Sequence, residues 1–378
     1  MKPEEAVQIL EFEKSKRDLS RLMSPKQRVN KAIAHEPIDL VPFDIWASPD
    51  QWKKIKNGLN VKSVEAVLDL LDVDCRIIAP KYVGPAPIQL ENGAYIDALG
   101  SIRCIKKNQF GSHKELIGYP LKNARTAAEV EKYEYMPKPE HWDCKSVLGQ
   151  IASLGKKNEY HIRFETCGIF EYSWALIGLE KFLICMADGN MEVPNTLMSI
   201  ITELFTKITN QILSEANGKV DMVYIYDDIG TQNGPMMSVA MWRKHIFPWY
   251  KKFLASFQSY PVQLMYHSCG SVKPFIPHLI SELGIDVLNP LQPKAAKMDF
   301  KDLKSEFGER LAFHGGIDTQ ELLPFANPLL VQENVIKACE ILGKNGGYIC
   351  APAHKLQSDV PVENVVAMYT TPRKAIAL

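Results

Sequence analysis

The chain has 378 residues, 46% of them apolar, and its 44 Lys+Arg balance 44 Asp+Glu. That length and apolar fraction suit one large α/β domain rather than a minimal one. Zero net charge argues against charge-driven binding to nucleic acid or an anionic membrane, and no apolar run approaches the ~18 residues needed to span a bilayer. The eight cysteines are scattered without a Cys-x-x-Cys pair, so no disulfide framework is expected. The opening Met-Lys-Pro-Glu-Glu lacks the basic-then-apolar layout of a signal peptide, and a cytoplasmic protein is expected.

In chain order, residues 1–35 are charged and helix-patterned, ending in an amphipathic segment at 27–34. A first strand is expected at 40–47 and a second at 74–79. Between them Val64, Val67, Leu68 and Leu71 keep helical spacing. The long excursion at 81–160 follows, with short strand-like pieces and then helical patterning. An insertion of that length needs structure of its own and is expected to act as a cap. From residue 161 the pattern becomes regular, with strands at 161–167, 220–227, 262–269, 287–291, 310–314 and 347–352 alternating with helices. Eight strands alternating with helices in one chain predict a single domain over 1–378. It would be an α/β fold, a (β/α)8 TIM barrel, with the 81–160 cap between the second and third strands. No Gly-x-Gly-x-x-Gly follows any strand, which disfavours a doubly wound dinucleotide fold.

In such a barrel the site lies at the C-terminal ends of the strands. Those ends offer Asp44, then Glu165, Cys167 and Glu171, then Asp227 and Asp228. His267 and Cys269 follow, then Asn289 and Gln292, then His314 and Asp318, and finally Cys350 and His354. Few cations occur among them. Asp227 and Asp318 are as readily helix caps as catalysts, and Cys350 sits in an apolar strand. His267 and Cys269, two apart on one strand, share a face at the barrel mouth, and an imidazole beside a thiol can form half of a zinc site.

The segments Tyr266-His-Ser-Cys-Gly270, Gly284-Ile-Asp-Val-Leu-Asn-Pro-Leu-Gln-Pro293, Phe313-His-Gly-Gly-Ile-Asp-Thr-Gln320 and Gly347-Tyr-Ile-Cys-Ala-Pro-Ala-His354 resemble the uroporphyrinogen decarboxylase superfamily, which also contains zinc- and corrinoid-dependent methyltransferases. Asp227-Asp-Ile-Gly-Thr-Gln-Asn-Gly-Pro235, Gly168-Ile-Phe-Glu-Tyr-Ser-Trp174 and Ala34-His-Glu-Pro-Ile-Asp-Leu-Val-Pro42 look like the methyltransferase-related branch. True decarboxylases of the family carry an arginine-bearing segment near the N-terminus that holds the carboxylates of a tetrapyrrole. Here Phe43-Asp-Ile-Trp-Ala-Ser48 takes its place, with an acid and no arginine, so porphyrin decarboxylation is not expected.

The resemblance implies a zinc site built from His267, Cys269 and a third ligand near the end of the last strand. The family's usual cysteine is absent there: Pro352-Ala-His354 makes His354 the direct replacement, and Cys350 is its rival. Glu165, Glu171 or Asp228 would fill a fourth place. Zinc would assist methyl transfer between a small substrate and a corrinoid carried by a partner protein, since this chain has no Asp-x-His-x-x-Gly corrinoid signature. Candidate substrates are an aryl methyl ether, a methylamine or betaine, a thiol or a folate. Asp228 and Glu171 are expected to handle protons or orient ligands, and Asn289 and His314 to hydrogen-bond the substrate. One alternative is metal-free decarboxylation of a small anion with Asp228 and His314 as acid and base. Another is a binding pocket for a corrinoid or tetrapyrrole.

Overall fold

The computed structural model describes residues 2–15, 23–154, 159–166 and 168–372. One curled sheet of seven parallel strands organises the chain: β1 (Cys75–Ile78), β2 (His161–Glu165), β3 (Met222–Tyr226), β4 (Gln263–His267), β5 (Val287–Leu291), β6 (Ala312–Ile317) and β7 (Tyr348–Pro352). Each strand pairs in parallel with its successor in sequence, and helices make the returns, giving a TIM-barrel-like α/β fold. The last three strands are buried at every position, as parallel strands covered on both faces should be.

Alternation along the strands divides the core in two. Met222, Tyr224, Met265, Val287, Ala312 and Ile349 pack inside the curl with Trp46. Their neighbours Val223, Tyr266, Leu288, Phe313, Tyr348 and Cys350 face the helices in a larger outer core. The helix Pro25–Ile33 plugs the N-terminal end of the sheet. Val29 and Ile33 enter the inner core, Ala32 O accepts the amide of Gly347 at 2.7 Å, and Arg28 pairs with the buried Asp74. Local signals set the helix ends: Ser24, Ser238, Asp299 and Asn327 accept backbone amides as N-caps, and Gly284, at φ 64°, closes the helix Ile276–Leu283.

The expected strand at 40–47 takes a different form. It makes only isolated parallel bridges, Phe43 to Cys350 and Ala47 to Leu356. The physical reason is visible on both sides. Pro42 has no amide to donate, and the Asp74 carboxylate takes the amide of Phe43 at 2.8 Å where a ladder carbonyl would stand. The segment nonetheless bonds to both edges of the curl, since Asp44 N donates to Cys350 O at 3.0 Å and Asp74 N to Phe43 O at 2.9 Å. The 81–160 excursion has its own structure. Ile88–Gln89, Ala94–Ile96, Ile102–Asn108 and Gly111–Gly118 form an antiparallel sheet, and Lys81–Tyr82 pairs with Trp142–Asp143. Among the described residues no helix is long and apolar enough to cross a membrane.

Candidate functional site

Register brings the site together at the C-terminal ends of the strands. His267 lies opposite Tyr226 of β3 on one side and Asn289 of β5 on the other, and all three continue the inward faces begun by Tyr224, Met265 and Val287. His314 follows Ala312 on the inward face of β6, and Glu165 and Arg163 share one face of β2. Just past β4, Gly270 holds φ 80°, and a Cβ there would meet the Thr231 carbonyl oxygen at 2.5 Å. The loops carrying Asp228 and Cys269 therefore pack backbone to backbone, and this position requires glycine.

Asp228, His267 and Cys269 converge at this rim, one ligand atom from each lying within 4.8 Å of the others. Cys269 Sγ is 3.6 Å from His267 Nε2, and Asp228 Oδ1 is 3.5 Å from the same nitrogen. Asp228 Oδ1 also accepts the amide of Cys269 at 2.8 Å. Imidazole nitrogen, thiolate sulfur and carboxylate oxygen are all accepted zinc donors, so the set fits zinc in chemistry and spacing. His354 is exposed beyond β7 and lies close enough to act on this group. Cys350 does not join it: the thiol is fully buried in the outer core with Phe43 and Tyr348. Counting by twos from His354 suggests a shared face, but the chain leaves the strand after Pro352, and the alternation ends there.

The charges of the cluster are interdependent. Burial would lower the His267 pKa, but hydrogen bonds to Asp228 and Cys269 raise it to about 10. Burial would raise that of Cys269, yet hydrogen bonds from His267 and His354 bring the thiol below its ordinary value. Asp228 is likewise lowered by His267 against the effect of burial. Glu171 goes the other way: burial, then repulsion from Asp228, push it up to about 7.

Behind His267 the polar groups pair with one another. Asn289 and His314 are fully buried; Asn289 bridges the two imidazoles, 2.6 Å from His267 Nδ1 and 2.6 Å from His314 Nδ1. His314 Nε2 is 2.9 Å from Asp44 Oδ2, which also accepts from Arg163 Nη1 at 2.7 Å. Trp46 stacks on His314 with ring centroids 5.1 Å apart, and Tyr224 packs edge-on to His267 at 5.7 Å. Arg163, Trp46, Tyr224 and Tyr226 are the residues that motif reading missed. The available signal was alternation, since Arg163 is two residues before the strand-end Glu165 and Tyr224 and Tyr226 precede Asp228 by even steps.

Three other strand-end candidates are tied to backbone amides. Asp227 accepts the amides of Phe170 at 2.8 Å and Glu171 at 2.6 Å and the hydroxyl of Tyr250, fixing the start of the helix Ile169–Ile177. Asp318 accepts three amides from Gln320, Glu321 and Leu322. Gln292 accepts the Gly270 amide at 2.8 Å and so braces the turn after Cys269. Cys167 lies outside the described residues.

A comparison with curated proteins finds no sequence match. Among solved structures, a methyltransferase from Methanosarcina mazei shares the fold, with a TM-score of 0.64 at 17% identity over 92% of this chain and 98% of that one. The sequence profile of uroporphyrinogen decarboxylase (URO-D) matches residues 114–375, well over half the chain and the part that carries β2 to β7 and the Asp228–His267–Cys269 cluster. The chain therefore belongs to the uroporphyrinogen decarboxylase family.

Proposed function

We propose that this protein is a zinc-dependent methyltransferase that moves a methyl group between a small substrate and a corrinoid carried by a partner protein. The observation that carries the reading is the convergence of His267, Cys269 and Asp228 at the strand ends. His267, Cys269 and Asp228 would hold the zinc, with His354 beside Cys269 as the fourth group; Cys350, in the outer core, is the weaker candidate. Zinc bound there would supply Lewis-acid activation of the substrate heteroatom that gains or loses the methyl.

The other residues have separable tasks. Glu171, raised to about 7, can hold a proton or release it near neutrality, beside the atom whose charge changes. Trp46, Tyr224 and Tyr226 surround His267 with ring faces and edges, which keeps the reacting centre poor in water. Asn289 and His314 support His267 from behind, because their polar atoms face His267, Asp44 and each other. Segment 40–47 serves as the eighth stave of the barrel, and the 81–160 insertion as its cap. The charge of Arg103 in that insertion acts on Glu171, which supports a position near the mouth.

The decarboxylase-like alternative needs His314 as a proton donor or acceptor to substrate. Both of its ring nitrogens are engaged and the side chain has no exposure, which favours methyl transfer. The test is direct. Zinc-loaded protein mixed with methylcobalamin or with cob(I)alamin is screened against aryl methyl ethers, methylamines, betaines, thiols and folates, following the cobalt absorbance. The expected result is a change at cobalt with one donor or acceptor class, lost on chelation and restored by zinc. No zinc-dependent change with any class, in the presence of a corrinoid protein, would reject the reading.

A further inference from the structure

We infer that Asp44, His314 and Asn289 are positioning residues, a one-directional chain of hydrogen bonds that fixes which nitrogen of His267 faces the metal-binding group. The consequence for metal rests on the proposed ligand role of His267; the geometry does not.

The direction follows from the end at Arg163. A guanidinium is charged at any working pH, and Arg163 Nη1 donates to Asp44 Oδ2 at 2.7 Å. Asp44 is therefore a carboxylate and can only accept, and its Oδ1 already takes the amide of Ile45 at 2.8 Å. His314 Nε2, 2.9 Å from Asp44 Oδ2, must then carry a hydrogen. Burial, with Arg163 nearby, keeps His314 neutral, so its Nδ1 is bare and accepts from Asn289 Nδ2 at 2.6 Å. That fixes the amide orientation. Asn289 Oδ1 faces His267 Nδ1 at 2.6 Å, so His267 Nδ1 is the nitrogen that keeps its hydrogen. The nitrogen left for a metal is Nε2, the one beside Cys269 Sγ and Asp228 Oδ1. Trp46, stacked on His314 at an interplanar angle of 25°, holds that ring in the plane of the chain.

The chain makes an unusual prediction: a residue several bonds from the metal group can reverse it. In Asp44→Asn the new amide can donate to His314 Nε2. His314 then carries its hydrogen on Nδ1, Asn289 turns over, and His267 is left with its hydrogen on Nε2. The experiment uses full-length protein with ¹⁵N-labelled histidine, read by NMR for nitrogen protonation, and Co²⁺ titration followed by absorbance. Wild type should show His314 protonated on Nε2 alone. Asp44→Asn should move that proton to Nδ1 and weaken Co²⁺ binding about 10–100-fold, the range typical of partners that orient a ligand.

Because Asp44→Asn leaves Arg163 without its buried partner, which threatens folding, two variants at Asn289 give an independent reading. Asn289→Asp still accepts from His267 Nδ1 and should retain Co²⁺, whereas Asn289→Leu, which cannot, should lose it by a similar 10–100-fold. Equal Co²⁺ affinity of Asn289→Leu and wild type, or a wild-type His314 protonated on Nδ1, overturns the inference. If wild type binds no Co²⁺ yet His314 carries its proton on Nε2, the positioning chain stands and the proposed metal function falls.

Discussion

Asp228 Oδ1 accepts the backbone amide of Cys269 at 2.8 Å, tying the end of β3 to the end of β4. A carboxylate and a thiol that come 41 residues apart in the chain are thereby held as one unit. The spacing of the cluster is set by the register of β3 against β4 together with this bond between the loops that follow them.

The first prediction concerns metal. Purified protein should carry one zinc per chain. Cys269→Ala and His267→Ala should each lose it while the far-UV circular dichroism spectrum is kept, because the core residues lie beneath the cluster and not in it. Full zinc occupancy in the double variant, measured by elemental analysis, would remove His267 and Cys269 from the ligand set.

The second concerns thiol reactivity. Cys269 is held below the ordinary thiol range and is part exposed, whereas Cys350 and Cys75 are fully buried. In metal-free protein near neutral pH, iodoacetamide should label Cys269 ahead of those two, and zinc should protect it. Mass spectrometry of the digested protein reads the order; preferential labelling of Cys350 would contradict it.

The third concerns pH. The folded-state pKa of Glu171, about 7, lies above its ordinary value of 4.5. A carboxyl whose pKa is raised on folding contributes full stability below its unfolded pKa and loses it as pH rises through the folded one. The loss should therefore run between about pH 4.5 and 7. One pKa unit is worth about 1.4 kcal/mol, so the effect is at most about 3.5 kcal/mol. Glu171→Gln should flatten this slope in denaturant titrations at pH 5 and pH 8 and remove any activity limb near pH 7. An identical pH slope in the variant would show that Glu171 does not titrate in this range.

The fourth concerns substrate. Uroporphyrinogen should not be decarboxylated at an enzymatic rate, because the arginine-bearing segment of the true decarboxylases is replaced by Phe43-Asp-Ile-Trp-Ala-Ser48. The Asp44 found there is already bonded to Arg163 and His314. Turnover of the tetrapyrrole, followed by chromatography of the oxidised porphyrins, would contradict this reading of the pocket.

The seven parallel strands are legible in the sequence because they depend on local order, and so is His267 at the end of β4; Cys269 lies just past that strand and is held beside His267 by its amide bond to Asp228 as well as by its spacing. Apolar runs of strand length alternate with helical faces, which marks each strand and its inward side without reference to the rest of the fold. The apolar pattern of 40–47 is strand-like, yet the segment makes only isolated bridges, because Pro42 and the Asp74 side chain, from a neighbour 31 residues away from Phe43, interrupt the ladder. Cys350 and His354 looked equivalent because periodicity does not show where the chain leaves the strand.

Local order in the chain carries the layered α/β plan, the family motifs and the side chains able to bind a metal. The folded sheet adds the meetings: Asp228 joins His267 and Cys269 across β3 and β4, Asn289 faces His314 across β5 and β6, and Asp44 reaches both Arg163 of β2 and His314 of β6. Strand pairing and curvature account for the difference. A strand pattern fixes up or down for each side chain, whereas strand register fixes which inward residues of neighbouring strands meet and the curl brings Asp44 to both Arg163 and His314; no short-range pattern encodes those meetings.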